Sequence, residues 1–130
     1  NDVEVIMEGH MPYDEYIAVL EKTNVVIDQC CSYGYGINAC IAMAQGKVVM
    51  SGARPETVEA FDIDYTPIIS ISPDVEVIYN QCKEIVLNKD KILKLGRESR
   101  KYVENVHNYK NVAKQYIDLW ISTGKLKEEK

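Results

Sequence analysis

Val25-Val26-Ile27-Asp28, then Ser32-Tyr33-Gly34-Tyr35-Gly36-Ile37-Asn38, then Ile41-Ala42-Met43-Ala44-Gln45-Gly46-Lys47-Val48-Val49-Met50: these three strings, in this order, carry the fold. The first is a short β-branched run that stops at an acidic residue. The second holds two glycines around one aromatic. Ile37 to Ala44 is short, rich in small residues and apolar almost all round, and it ends at Gly46 as a helix C-cap does. A second β-branched run, Val48-Val49-Met50, follows and stops at Ser51-Gly52. Strand, buried helix and strand in this order form a βαβ unit, whose strands lie parallel.

The same alternation extends outward. Val3 to Met7 reads as a strand ending at Gly9, and Ile68-Ile69-Ser70-Ile71 reads as another ending at Ser72-Pro73. Short continuous apolar runs of this kind suit strands covered on both faces. Tyr13 to Glu21 reads as a helix with Tyr13, Tyr16, Ile17 and Leu20 on one stripe. The last third is helical: Asp74 to Leu87, with Val75, Ile78, Cys82, Ile85 and Val86 inward, and Lys89 to Asn105, with Ile92, Leu95, Tyr102 and Val103 inward. Asn108 to Ile121 completes it, with Val112, Tyr116, Leu119 and Trp120 inward. The expected fold class is α/β: a Rossmann-like parallel sheet of about four strands, helices on both faces, and C-terminal helices packed across. With 130 residues there is room for one core, assigned to residues 1–124, followed by a Lys- and Glu-rich tail over 125–130 that is expected to fray.

Composition narrows the function classes. The chain is 46% hydrophobic and 27% charged, which excludes disorder as a description of the whole. The net charge of −5 is uneven: residues 1–88 carry 4 basic against 14 acidic side chains, and residues 89–130 carry 11 basic against 6 acidic. An acidic body argues against nucleic acid as partner, and the mixed charges of the last helices suit a solvated face. No apolar run reaches the ~20 residues of a membrane span and no signal peptide opens the chain. A cytoplasmic location is expected, the inner membrane face included. The chain begins at Asn1 without an initiator methionine and is expected to be a piece of something longer. Cys30, Cys31, Cys40 and Cys82 have no CxxC spacing, so zinc is not expected and reduced thiols are.

The glycine pair is where chemistry is expected. Gly34 and Gly36 let a ligand approach the main chain and permit positive φ. The free N–H groups of the following helix start, with its dipole, favour an anion, and strand ends opening on a helix start are where open parallel sheets bind ligands. A phosphate or diphosphate is the natural ligand; the alternative is a plain tight turn. Elsewhere, His10 follows Gly9 at the end of the Val3–Met7 run and reads as a loop histidine. Arg54 and Glu56 follow the Val48–Met50 strand, Arg54 suited to a phosphate or to a surface ion pair. Asp62 and Asp64 lack further oxygen ligands, so calcium is not expected. Tyr102, Tyr109, Tyr116 and Trp120 read as core or interface aromatics, and His107 as a solvated residue in a helix-helix turn.

Over nearly its whole length the chain resembles the second half of the donor-binding C-terminal domain of retaining glycosyltransferases with two Rossmann-like domains, the group 1 GT-B type. The match runs through Tyr33-Gly34-Tyr35-Gly36, Ile41-Ala42-Met43-Ala44-Gln45-Gly46-Lys47-Val48-Val49 and Gly52-Ala53-Arg54-Pro55-Glu56. Arg100-Lys101-Tyr102 through His107 to Tyr116 and Trp120 is similar to that fold's closing helices. The resemblance implies the donor-binding portion of an enzyme moving a sugar from a nucleoside-diphosphate donor to an acceptor hydroxyl, in cell-surface polysaccharide or glycoconjugate synthesis. It implies Tyr33, Gly34, Tyr35, Gly36, Asn38, His10, Arg54 and Glu56 as donor-contacting positions, with His10 at the nucleobase, no cofactor, and an N-terminal acceptor domain outside this chain, so that this portion alone does not turn over. Two family glutamates that contact the sugar and the ribose are replaced by Tyr33 and Ile41, which supply neither carboxylate. Asp28-Gln29 and Asn38 are the nearest polar substitutes. No catalytic residue is assigned. A catalytically inactive nucleotide-binding or protein-interaction module is the alternative; a response-regulator-like domain fits Met7-Glu8-Gly9-His10 poorly. In such a sheet, Val3–Met7 and Val25–Asp28 are the third and fourth strands, and those that separate them are absent here. Either the two runs pair directly or a homodimer covers the edge, through the sheet or the helices around Trp120.

Overall fold

The computed structural model describes residues 3–125. Its elements are α1 (Tyr13–Lys22), β1 (Val25–Ile27), α2 (Ile37–Ala44), β2 (Val48–Ser51), α3 (Pro55–Ala60), β3 (Ile69–Ser70), α4 (Val75–Leu87), α5 (Ile92–Val106) and α6 (Tyr109–Ser122), with one 3-10 turn (Lys89–Lys91) between α4 and α5. The sheet has three strands in the order β1-β2-β3. Both pairings are parallel, with Val25, Val26 and Ile27 opposite Val48, Val49 and Met50, and Met50 and Ser51 opposite Ile69 and Ser70.

β2 is the centre of the molecule. Each of its four residues is fully buried, so both of its pleat faces are covered, as the unbroken apolar run implies. The edge strands are not enclosed in this way. Ile27 at the end of β1 is 54% exposed, and Ser70 of β3 faces solvent. The core gathers Leu20 of α1, Ala39, Ala42 and Met43 of α2, Val49 of β2, Ala53, Ile68 and Tyr102 of α5.

The junction of α2 with α5 explains two glycines. Gly46 closes α2 at φ +72°, with its N–H donating to Met43 O (2.9 Å) and the Lys47 N–H donating to Ala42 O (3.0 Å). That is the left-handed C-terminal cap that glycine alone adopts without strain. Gly96 of α5 packs against this cap so closely that a Cβ on it would run into the Gly46 carbonyl. Gly96, Ser99 and Tyr102, three residues apart along α5, are its buried stripe. Arg100 reaches back to donate from Nη1 to Ala44 O (2.9 Å), occupying a carbonyl that the end of α2 leaves without a helical partner. Asp74 caps α4 by accepting from Glu76 N (2.9 Å) and Val77 N (3.2 Å), and Asn108 caps α6 by accepting from Lys110 N (3.0 Å).

Four expectations change. Val3–Met7 forms no strand: Val5 is 82% and Met7 86% exposed, and β1 pairs with β2 alone. A strand lives on its ladder, and without a neighbour the β-branched side chains of this run have nothing to pack on. Direct pairing of the first two runs is therefore absent among the described residues. α6 turns its apolar side outward: Tyr116, Leu119 and Trp120 are exposed and only Val112 and Ile121 are partly covered. After the Asn108 cap the helix packs chiefly on α5, so most of the inward face expected for it stays uncovered. Tyr109 is exposed as well, so of the four aromatics expected in a core or an interface Tyr102 alone lies in the core. A short helix not foreseen, α3, follows β2; Pro55 at its first position and Glu56 in its first turn are its local signals. Of the tail assigned to 125–130, residues 126–130 lie outside the described residues.

Candidate functional site

The loop from Asp28 to Gly36 leaves the C-terminal end of β1 and is stitched to the C-terminal end of β2. Asp28 N–H donates to Met50 O (2.9 Å), continuing the ladder, and Gly52 N–H donates to Gln29 O (2.8 Å). The hydroxyl of Ser51 donates towards Asp28 Oδ2 (3.0 Å) and Gln29 O (3.2 Å). Further along, Tyr33 O accepts from Arg54 N (3.0 Å) and from Thr57 Oγ1 (3.0 Å). Gln29 Nε2 donates to Gly34 O (3.1 Å), and Gly34 N–H to Ser32 Oγ (3.3 Å). Gly52 is the tight point: a Cβ there would strike the carbonyl oxygen of Ser32 and crowd that of Gly34. Backbone lies on backbone at this contact, which only glycine permits.

The glycine pair behaves differently from expectation. Neither Gly34 nor Gly36 has positive φ; Gly36 sits at φ −102°, ψ −174°, an extended geometry open to any residue. A Cβ on Gly34 would meet Thr57 Oγ1 at 3.6 Å, and one on Gly36 would meet Gln29 Nε2 at 3.8 Å, both ordinary contacts. The fold therefore does not require glycine at either place. What their bareness does is leave the start of α2 open. Gly36 is its N-cap and offers no side chain to the first-turn N–H groups, and Ile37 and Asn38 in that turn are exposed. Helix starts of this kind are ordinarily satisfied by Ser, Thr, Asp or Asn.

The expected donor-contacting residues divide into three groups. Tyr33, Gly34, Gly36, Asn38 and Arg54 gather at the loop and the α2 start. Tyr33 is 60% exposed and Arg54 lies over its ring, with the guanidinium carbon 4.3 Å from the centroid. That stacking holds the guanidinium against the loop without occupying its donors. Arg54 has no carboxylate partner among the described residues, and Glu56 stands exposed in the first turn of α3. His10 is exposed on the chain before α1 and makes no hydrogen bond among the described residues. Tyr35, between the two glycines, turns inward, away from the loop's exposed side.

Tyr35 ends in a knot that sequence reading missed. Its hydroxyl lies 2.5 Å from Tyr102 Oη and 2.8 Å from His107 Nε2. The rings of Tyr35, Phe61, Tyr102 and His107 pack around one another with centroids 5.2 to 6.4 Å apart. Burial holds the Tyr35 phenol far above its ordinary range, reinforced by the Tyr102 hydroxyl; burial also raises Tyr102 and pushes the His107 imidazolium below the usual 6.5. His107 is thus a packed, hydrogen-bonded residue and not the solvated one expected. The Cys40 thiol nearby is raised as well, by burial and by the Asp28 carboxylate. All four cysteines are free thiols, with Cys31 exposed rather than packed. Ile41 packs on the core.

A cavity of about 80 Å³ lies elsewhere, between β3, α4 and α5, lined by Ile69, Ile85, Asn88, Ile92 and Leu95. It is small beside the several hundred Å³ of ordinary ligand pockets and shares no residue with the loop. Comparison with family profiles, with curated proteins and with solved structures found no match to this chain.

Proposed function

We propose that this chain is the donor-binding portion of a sugar transferase, taking the diphosphate of a nucleotide-sugar at the Tyr33–Asn38 loop. One observation carries the reading: the start of α2 is uncapped and open beside an arginine that is tied to the same loop and has no acidic partner among the described residues. Amides at a helix start, its dipole and a guanidinium are the groups that stabilise a departing diphosphate. The acceptor hydroxyl attacks the anomeric carbon as the bond to the diphosphate breaks, and the negative charge that grows on the leaving oxygens is met by these donors. Asn38, exposed one position into α2, is the polar side chain nearest to the missing glutamates' duty. A homodimer, or a separate acceptor domain, would cover the open β1 edge and the apolar side of α6.

A second reading has its own support. With Tyr33 occupied by Arg54 and Ile41 committed to the core, the two positions that would grip sugar and ribose offer no carboxylate, which favours a module that binds nucleotide without transferring sugar. Calorimetric titration with uridine, guanosine and adenosine diphosphates, each with and without sugar, tests both. Binding of diphosphates and their sugars alike, without sugar discrimination, supports the second reading; a preference for one nucleotide-sugar supports the first; no binding refutes both.

A further inference from the structure

Tyr35 is the one residue between the two loop glycines, and its side chain is fastened 67 and 72 residues away in sequence, to Tyr102 in α5 and His107 at the end of α5. The pose of the Gly34–Gly36 backbone is therefore set from the α5–α6 corner. We infer that Tyr102 and His107 are positioning residues for the glycine loop, holding its amides through the Tyr35 phenol, and that the hold is released when His107 takes up a proton. The inference rests on the loop being the anion site proposed above.

The geometry gives the release its direction. Around the imidazole stand Tyr35 from the loop, Tyr102 from α5 and Phe61 from the turn after α3, with the Cys40 thiol of α2 and the Thr66 hydroxyl beyond the phenols. None of these is an anion near neutrality. The nearest charged residues along the chain, Asp62, Glu104 and Lys110, are exposed; Glu104 is held by Arg100 (2.8 Å) and Lys110 lies over the Tyr109 ring. Among the described residues no carboxylate pairs with the imidazole, Asp28 acting instead on the Cys40 thiol, and burial opposes the imidazolium. The neutral ring is the form that packs. On protonation the ring gains by moving to water, and Tyr35 loses one of its two fastenings.

The test is amide exchange of Gly34 and Arg54, whose N–H groups are bonded to Ser32 Oγ and Tyr33 O of the loop, normalised to unstructured-peptide rates, from about pH 5 to pH 8, in the wild-type chain, Tyr35→Phe and His107→Gln. The β2 amides report whether each variant is folded. Tyr35→Phe removes both fastenings and is expected to exchange roughly thirty-fold faster at the loop with β2 unchanged, the change in open population that two net hydrogen bonds carry. The wild-type loop is expected to lose protection below about pH 6.5. His107→Gln keeps an uncharged hydrogen-bond partner for the phenol, able to accept or donate, and is expected to hold the loop with no pH step. Loop exchange indifferent to Tyr35→Phe, or the same acid step in His107→Gln, overturns the inference. Uridine diphosphate affinity of the same three proteins near pH 7.5 separates the two claims. Absent binding in all three refutes the diphosphate reading while the exchange data still decide the positioning role.

Discussion

Gly52→Ala is the substitution that most directly couples this fold to its loop. The added methyl would sit inside the carbonyl oxygen of Ser32 and press on that of Gly34, and both are backbone, so no side chain can swing away. The loop must lift. Lifting it stretches Gly52 N–H to Gln29 O (2.8 Å), Arg54 N–H to Tyr33 O (3.0 Å) and Thr57 Oγ1 to Tyr33 O (3.0 Å). At about 1 kcal/mol net for each hydrogen bond, losing two or three amounts to about 2–3 kcal/mol, the same range as overpacking a tight core. Gly36→Ala is the control, because its Cβ would meet only Gln29 Nε2 at 3.8 Å; a change within about 0.5 kcal/mol is expected. Urea unfolding followed by circular dichroism measures both, and exchange of the Gly34 and Arg54 amides, bonded to Ser32 Oγ and Tyr33 O, shows whether the loop has moved. Equal stability of Gly52→Ala and Gly36→Ala would refute the close approach of loop and strand end on which the site description stands.

Other outcomes follow from single contacts. The Ser99 hydroxyl is buried on α5 without a hydrogen-bond partner among the described residues, so Ser99→Ala is expected to be neutral or to stabilise by up to about 1 kcal/mol in urea unfolding. Asp74→Ala removes the acceptor of two α4 amides and is expected to cost about 1 kcal/mol, with faster exchange confined to the first turn of α4. The imidazolium of His107 is disfavoured in the folded chain, so its contribution to stability is complete above the unfolded-state value near 6.5. That contribution is lost as pH falls through the lower folded value; His107→Gln is expected to flatten this part of a stability-against-pH curve. Tyr35, Tyr102 and Cys40 are all raised and stay neutral through this window, so none of them adds a step to it.

What the sequence disclosed was local, and what it withheld was long-range. The boundaries of α2 and the Gly46 cap are written in a short run of apolar and small residues, broken only by Asn38, and a glycine, because helix period and cap chemistry act over four residues. Parallel pairing of Val25–Ile27 with Val48–Met50 follows from the length of the crossover between them. Val3–Met7 carries the same β-branched signal and forms no strand, since propensity without a paired edge decides nothing. The apolar stripe of α6 is equally plain in sequence, yet periodicity says which side of a helix is apolar and not what stands opposite it. The Tyr35–Tyr102–His107 knot joins residues 67 and 72 positions apart, and no spacing rule reaches that far. The glycine pair was read for its conformational freedom; the structure gives that role to Gly46, while Gly34 and Gly36 contribute bareness at an open helix start.

The central claim is that the open start of α2, with Arg54 beside it, takes a diphosphate. Titration of uridine diphosphate into isotopically labelled protein, followed amide by amide, tests it in one experiment. Saturable shifts concentrated at Gly34 to Asn38 and Arg54, and weakened at least several-fold by Gly36→Val with the α2 amides still protected, are the expected result. Shifts that never saturate, or that saturate with unchanged affinity in Gly36→Val, would contradict the account.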